Sequence, residues 1–343
     1  MTDKTGIRSF IIGNTDRLPR GLAGAVARRF SITRQAASRH IAKLVSDGVL
    51  RAEGRTRSRE YRLQTLASVN EMFPISDRLQ EDVLWRGTVL PVLASAPDNV
   101  KDVCNYGFTE IVNNAKDHSA SPIVVIHSRV TAASVRIGVL DTGIGIFRKI
   151  RDALGLEDER HAVLELAKGK LTTDPTHHTG EGIFFTARMF DFFAISSGRL
   201  NLVAGRDASD FLIEHREEQQ GTRVVMDIPL AASHTTKDIF DRYALDQDDY
   251  AFQRTHVVVS LARAEGEKLV SRSQAKRVLA RLERFKEVVL DFKRVDGIGP
   301  AFADEIFRVF RSSHPAVHLQ VVNASDEVQR MIRRAEGAAA GQA

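Results

Sequence analysis

The chain has 343 residues, more than one ordinary core needs, so two or three domains are expected. No apolar run approaches the roughly 18 residues of a membrane helix, no signal-peptide pattern opens the chain, and the single cysteine, Cys104, excludes an intramolecular disulfide or a cysteine-rich zinc site; a cytoplasmic protein without a membrane partner is expected. The net charge of +5 is unevenly spread: residues 1–63 hold 14 Lys/Arg and 5 Asp/Glu, a balance of +9, so the remainder is −4 and the basic part calls for a polyanion, nucleic acid first.

In residues 21–63 the pattern is helix, turn, helix and hairpin. Leu22, Val26 and Phe30 mark one helix, and Thr33 is placed to cap a second from Arg34 to Asp47, with Ala37, Ile41, Leu44 and Val45 inward and Gly48 at its end. Val49–Arg51 and Tyr61–Leu63 read as strands around a basic loop. The stretch resembles a winged helix-turn-helix domain, whose second helix enters the major groove and whose wing touches phosphate. The resemblance implies Arg34, Gln35, Ser38 and Arg39 facing bases of double-stranded DNA, and Arg55, Arg57 and Arg59 along its backbone. The alternative is a protein-binding domain of the same shape with a solvated basic face.

Residues 64–100 read as connecting helix, starting near Ser76-Asp77 with Leu79, Val83 and Leu90 on one face. A second helix is expected from Asn99 to His118. It places Glu110 and Asn114 four residues apart on one face, a carboxylate able to orient water and an amide oxygen able to ligate Mg²⁺. The alternating strand Ser134–Leu140 leads to Asp141-Thr142-Gly143-Ile144-Gly145. After a helix expected at Arg160–Ala167 and the cations Lys168 and Lys170, Thr179-Gly180-Glu181-Gly182 opens an apolar helix, where backbone amides favour phosphate. Gly221–Met226 reads as a late strand.

In this order, the motifs resemble the GHKL ATP-binding fold of gyrase-type topoisomerases, Hsp90-type chaperones, mismatch-repair ATPases and histidine or anti-sigma kinases, over roughly residues 77–232. The resemblance implies Glu110 as general base, Asn114 as Mg²⁺ ligand, Asp141 as acceptor of the adenine amino group, Gly143 and Gly145 beside the base, Gly180 and Gly182 at the phosphates, Thr222 at the adenine end, and a mobile lid between Phe147 and His178. His177-His178 is expected to serve the lid rather than a metal. No G-x-x-x-x-G-K-[ST] occurs, and residues 64–100 hold no histidine for a sensor kinase to phosphorylate.

A polar linker is expected at 231–249. Beyond it His256–Ala262, Val288–Phe292 and Val317–Val322 read as strands alternating with helices at Ser273–Phe285, Phe302–Phe310 and Ser325–Arg334. Val289–Asp296 followed by Gly299–Glu305 resembles a STAS-like domain, although residues 296–302 lack the serine or threonine such domains phosphorylate. The fold class expected is therefore multidomain α/β (α+β): a winged helix over 1–63, a GHKL sandwich with its linker helix over 64–235, and a small STAS-like domain over 250–343. The function expected is an ATP- and Mg²⁺-dependent, homodimeric regulator coupling hydrolysis to DNA binding in transcriptional control, with a protein partner at the STAS-like domain. The alternatives are an anti-sigma-type serine/threonine kinase acting on a STAS-type partner, and a non-hydrolysing ATP-gated regulator.

Overall fold

The computed structural model describes residues 4–55, 59–171, 180–244, 252–263 and 266–340. Its N-terminal part comprises α1 (Lys4–Asn14), α2 (Leu22–Phe30), α3 (Arg34–Ser46) and the antiparallel hairpin of β1 (Leu50–Glu53) with β2 (Glu60–Leu63). Thr33 Oγ1 accepts the Ala36 amide at 3.1 Å, which satisfies an amide the first turn of α3 leaves open. Ala37, Ile41 and Leu44 pack onto Leu22 and Val26. Helix α1, absent from the expected elements, completes this core with Ile7 and Ile11, one turn apart.

Three residues, 64–66, lead into β3 (Ala67–Pro74), where connecting helix was expected. Strand β3 is an edge strand whose register runs from Ala67 opposite Val130 to Pro74 opposite Ile123. Only alternate side chains are partly covered, so its apolar pattern is weak and its place comes from the neighbouring strand. Helix α4 (Glu81–Leu84) then runs into a wide turn at Trp85–Val89. Val83, expected inward, is 50% exposed, while Leu84, Trp85 and Val89 take the inner face.

From there the chain follows α5 (Asp98–His118), β4 (Ile123–Val130), β5 (Ser134–Asp141), α6 (Ile146–Leu154), α7 (Glu159–Lys168), α8 (Gly182–Met189), β6 (Phe192–Gly205) and β7 (Ala208–Pro229). The sheet is antiparallel with order β3-β4-β5-β7-β6. Val124, Ile126, Val135, Ile137, Val139, Val224, Met226 and Ile228 occupy its inner face at every second position, and α5 and α8 cover them.

The expected linker is half helix: α9 (Thr236–Tyr243) docks beside α5 and α8. Thr235 and Asp238 form a reciprocal capping box, and Ile239 and Tyr243 are buried. The Asp246–Asp249 stretch lies outside the described residues. The last part is β8 (Arg254–Val258), α10 (Arg272–Leu279), β9 (Glu287–Asp291), α11 (Pro300–Asp304) extended by a wide turn to Phe310, α12 (Arg311–Ser313), β10 (His318–Val322) and α13 (Asp326–Ala340). Its sheet is parallel, β10-β9-β8.

Two expected elements, one strand and one helix, shift here. The strand read over His256–Ala262 ends at Val258 and becomes a 3₁₀ turn, with Val259 and Leu261 buried against α7. The helix read to Phe285 stops at Leu279, because Arg281 takes a left-handed conformation (φ 66°).

Within the sandwich, the Arg188 guanidinium on α8 makes two 2.6 Å bonds to the Asp210 carboxylate on β7, with side chains 5% and 2% exposed. Removing one member strands a buried charge. Asp210→Ala is expected to destabilise this core by about 3–5 kcal/mol, read as a lower urea midpoint at unchanged m-value.

Candidate functional site

Glycines and one buried carboxylate shape a cavity of about 320 Å³ between α5, the ends of β5 and β7, α6 and the start of α8. Glu110, Asn114, Asp141, Gly145, Gly180, Gly182 and Thr222 all line it. Residues spread over more than a hundred positions of sequence are thus brought to one concave surface. Gly143 lies just behind the wall: its amide donates to Asp141 Oδ1 at 2.9 Å, and a Cβ there would collide with the Ser119 carbonyl.

Asp141 is 4% exposed at the end of β5. Burial pushes its carboxyl up from the usual range, and the amides of Gly143 and Thr222 pull it back by donating to Oδ1. Both amides go to Oδ1, and the Thr222 hydroxyl also lies against the carboxylate and lowers its pKa. The Thr222 hydroxyl accepts the Ile146 amide at 3.0 Å and so ties β7 to the first turn of α6. Neighbouring Gly221 has φ 71°, and a Cβ there would strike the Asp141 carbonyl, so only glycine lets β7 pass this close.

Across the cavity, α5 presents half-buried Glu110 and Asn114. Asn114 Nδ2 donates to the Glu110 carbonyl at 2.6 Å. That bond spends the amide's donor end and leaves Oδ1 as the end able to ligate a cation. The Glu110 carboxylate meets Gly182 so closely that a Cβ on that glycine would overlap it. Gly180 has φ 74°, and the Leu171 amide donates to its carbonyl at 2.9 Å. His177, His178 and Thr179 lie outside the described residues. Burial raises the Glu181 carboxyl, an effect opposed by Lys170.

Lys149 on α6 also lines the cavity and was missed by the sequence reading. Its ammonium donates to the His118 carbonyl at 2.8 Å; burial lowers its pKa and Asp117 raises it. The available signal was a lysine one turn after Gly145 at the start of an amphipathic helix. Among the described residues no group of His, Cys, Asp and Glu is arranged to hold a metal ion, so a cation here needs oxygens from a ligand beside Asn114.

The second candidate surface is on α3 and the hairpin. Arg34, Gln35, Ser38 and Arg39 are all exposed on one side of α3, opposite buried Ala37, Ile41 and Leu44. A Cβ on Gly24 would stand 3.1 Å from the Arg34 guanidinium, so that side chain lies along α2. Arg55 and Arg59 are exposed at the hairpin, and Arg57 lies outside the described residues.

Residues 274–329 match the family described as a STAS-like domain of unknown function (DUF4325). The C-terminal module is STAS-like. The match covers α10 through the start of α13, including the parallel pair β9–β10. No curated protein matches the chain. No helix among the described residues is long and apolar enough to cross a membrane.

The STAS-like module is packed directly on the helix that borders the cavity. Buried residues of α7, such as Val163 and Leu166, belong to one hydrophobic cluster with Val257, Leu261, Val278 and Phe285 of the module. The N-terminal helices form a separate core that meets the rest through Ala132 in the β4–β5 turn.

Gly221→Ala tests the close approach behind the cavity. A left-handed alanine costs about 1–2 kcal/mol before any collision, so the variant is expected to melt at a lower temperature with unchanged far-UV circular dichroism at 20 °C.

Proposed function

We propose that the protein is a GHKL-type, Mg²⁺-dependent ATPase whose nucleotide state sets the behaviour of a DNA-binding winged helix and of the STAS-like module. One observation carries the reading: a buried carboxylate on the end of a strand, a Glu/Asn pair on a helix, and a glycine-flanked helix start converge on one cavity. These are the groups needed at the base, metal and phosphate ends of a nucleotide.

Asp141 accepts from the adenine amino group, most strongly when its carboxyl is ionised. Gly145, which lines the cavity, lets backbone approach the ring, while Gly143 and Gly221 let the chain close up behind Asp141 and Thr222 ties β7 to α6. At the other end, the first amides of α8 face phosphate oxygens, where aligned peptide dipoles favour negative charge. Lys149 on α6 adds a cation to the cavity lining. Glu110 orients the attacking water and takes its proton, and Asn114 Oδ1 would hold Mg²⁺. Bound there, Mg²⁺ would neutralise charge on the phosphates.

The output follows from connectivity. The hairpin is joined by only residues 64–66 to β3, the edge strand of the ATP sheet, and Ala132 of the next turn packs on the N-terminal core. Movement of the sandwich therefore reaches α3 through a short link. Nucleotide must bind two arrangements with different affinity for this to act as a switch. The competing reading, phosphate transfer to a separate STAS-type protein, is favoured by the STAS-like module on this chain; the lack of serine or threonine at residues 296–302 argues only against phosphorylation of the chain's own module.

Mg²⁺-dependent ATP turnover by the purified chain tests the core of this reading. Glu110→Ala is expected to bind ATP and lose turnover by about 10²-fold or more; turnover at the wild-type rate would remove Glu110 as base. Because burial raises the Asp141 pKa, protonation sets in at a higher pH than for an ordinary aspartate. Wild-type ATP affinity should therefore fall, relative to Asp141→Asn, as pH drops towards the acid range, and the variant should be weak throughout. Equal affinities across pH would contradict the adenine role.

For DNA, affinity measured by fluorescence anisotropy on a mixed-sequence duplex is expected to fall steeply with added salt. Arg39→Ala should weaken it, and Arg59→Ala should in addition flatten the salt slope by about one. Salt-independent binding would assign the basic face to solvent.

A further inference from the structure

Lys168 is a buried cation that joins two parts of the chain. It ends α7, and its side chain is 2% exposed. Its ammonium has three N–H donors and three acceptors: Glu165 Oε1 at 2.7 Å on its own helix, and the carbonyls of Arg277 at 2.9 Å and Ala280 at 2.8 Å in the STAS-like module. Those two carbonyls are available because α10 stops at Leu279. The last carbonyls of a helix have no partner within it, and a cation is the favoured group beside them. The same residue's carbonyl accepts the Thr255 hydroxyl at 2.6 Å from β8, which is fully buried.

The next two residues continue the contact. Gly169 has φ 80°, and a Cβ on it would stand 2.6 Å from the Phe252 ring. The Lys170 ammonium lies 4.9 Å from the Phe285 ring centre and donates to the Arg284 carbonyl, while Arg281 donates to the Lys170 carbonyl. Leu171 follows at once; it lines the cavity and is bonded to Gly180, the first glycine before α8. One continuous stretch thus runs from the module's interior to the wall where phosphates are proposed to sit.

We propose that the STAS-like module is a latch on the nucleotide cavity, with Lys168 as the positioning residue that carries its docking to Leu171 and Gly180 in the cavity wall. The inference rests on the ATP reading given above and adds the route by which a partner of the module reaches the site. With the latch closed, the wall is held ready for nucleotide; with it open, part of the binding free energy must be spent on ordering the wall. Coupling is reciprocal, so nucleotide tightens the latch by the factor by which the latch tightens nucleotide.

The test uses the full chain. ATP affinity with Mg²⁺ is measured by calorimetry for wild type, Lys168→Met and Thr255→Val, well below each melting point, with hydrogen exchange over residues 272–285 followed with and without saturating Mg-ATP. The expected result is a Kd raised at least fivefold in both variants, in the range typical of site-to-site coupling, and slower exchange at 272–285 on adding nucleotide to wild type only. A merely structural role would lower the melting temperature and leave the Kd of the folded protein alone. Should Lys168→Met fail to fold, Thr255→Val, which keeps the ammonium and loses one hydroxyl bond, decides. Wild-type affinity in the folded variants, or exchange at 272–285 indifferent to nucleotide, overturns the latch while leaving the ATP reading intact. No ATP binding by wild type overturns both.

Discussion

A lysine ammonium taken out of water must find acceptors for all its protons, and the Lys168 ammonium finds two of its three in another part of the chain. This requirement shapes much around it. Helix α10 ends early and exposes its carbonyls, Arg281 takes a left-handed turn, and Gly169 accepts the Phe252 ring where no other residue fits. The result is that α7 and the STAS-like module share one apolar core, whereas the N-terminal helices keep their own.

The cavity follows a similar logic with opposite sign. Asp141 is a carboxyl in a dry place, restrained by two amides that reach it only because Gly143 and Gly221 let backbone approach. Gly182 gives the same freedom to the Glu110 carboxylate. Charged and dipolar groups of the cavity are thus held by the protein's own backbone. The three glycines are therefore requirements of the site's electrostatics as much as of its turns.

The Glu110–Asn114 helix, the strand leading to Asp141 and the capped helix after Thr33 were legible because each is set by spacing within one element: four residues on a helix, two on a strand, one capping hydroxyl. Strand β3 and helix α9 were not. β3 sits at a sheet edge, where half-covered positions give little alternation. α9 carried a readable capping box in Thr235 and Asp238, yet its polar composition pointed to a linker, and only Ile239 and Tyr243 finding cover beside α5 and α8 makes it helix. Val83 failed for a related reason, since the wide turn at Trp85 shifts the inward face.

By itself the sequence determined the mixed α/β character, the likeness of residues 274–329 to a STAS-like domain, and which residues to seek at the site, because periodicity, caps and glycine placement act over a few neighbours. Only the tertiary structure decided that Glu110, Asp141, Gly182 and Thr222 meet, that Lys149 joins them, and that Lys168 is a tie between modules rather than a free lid cation. Those outcomes depend on which distant group fills a buried valence, and no local pattern of residues carries that information.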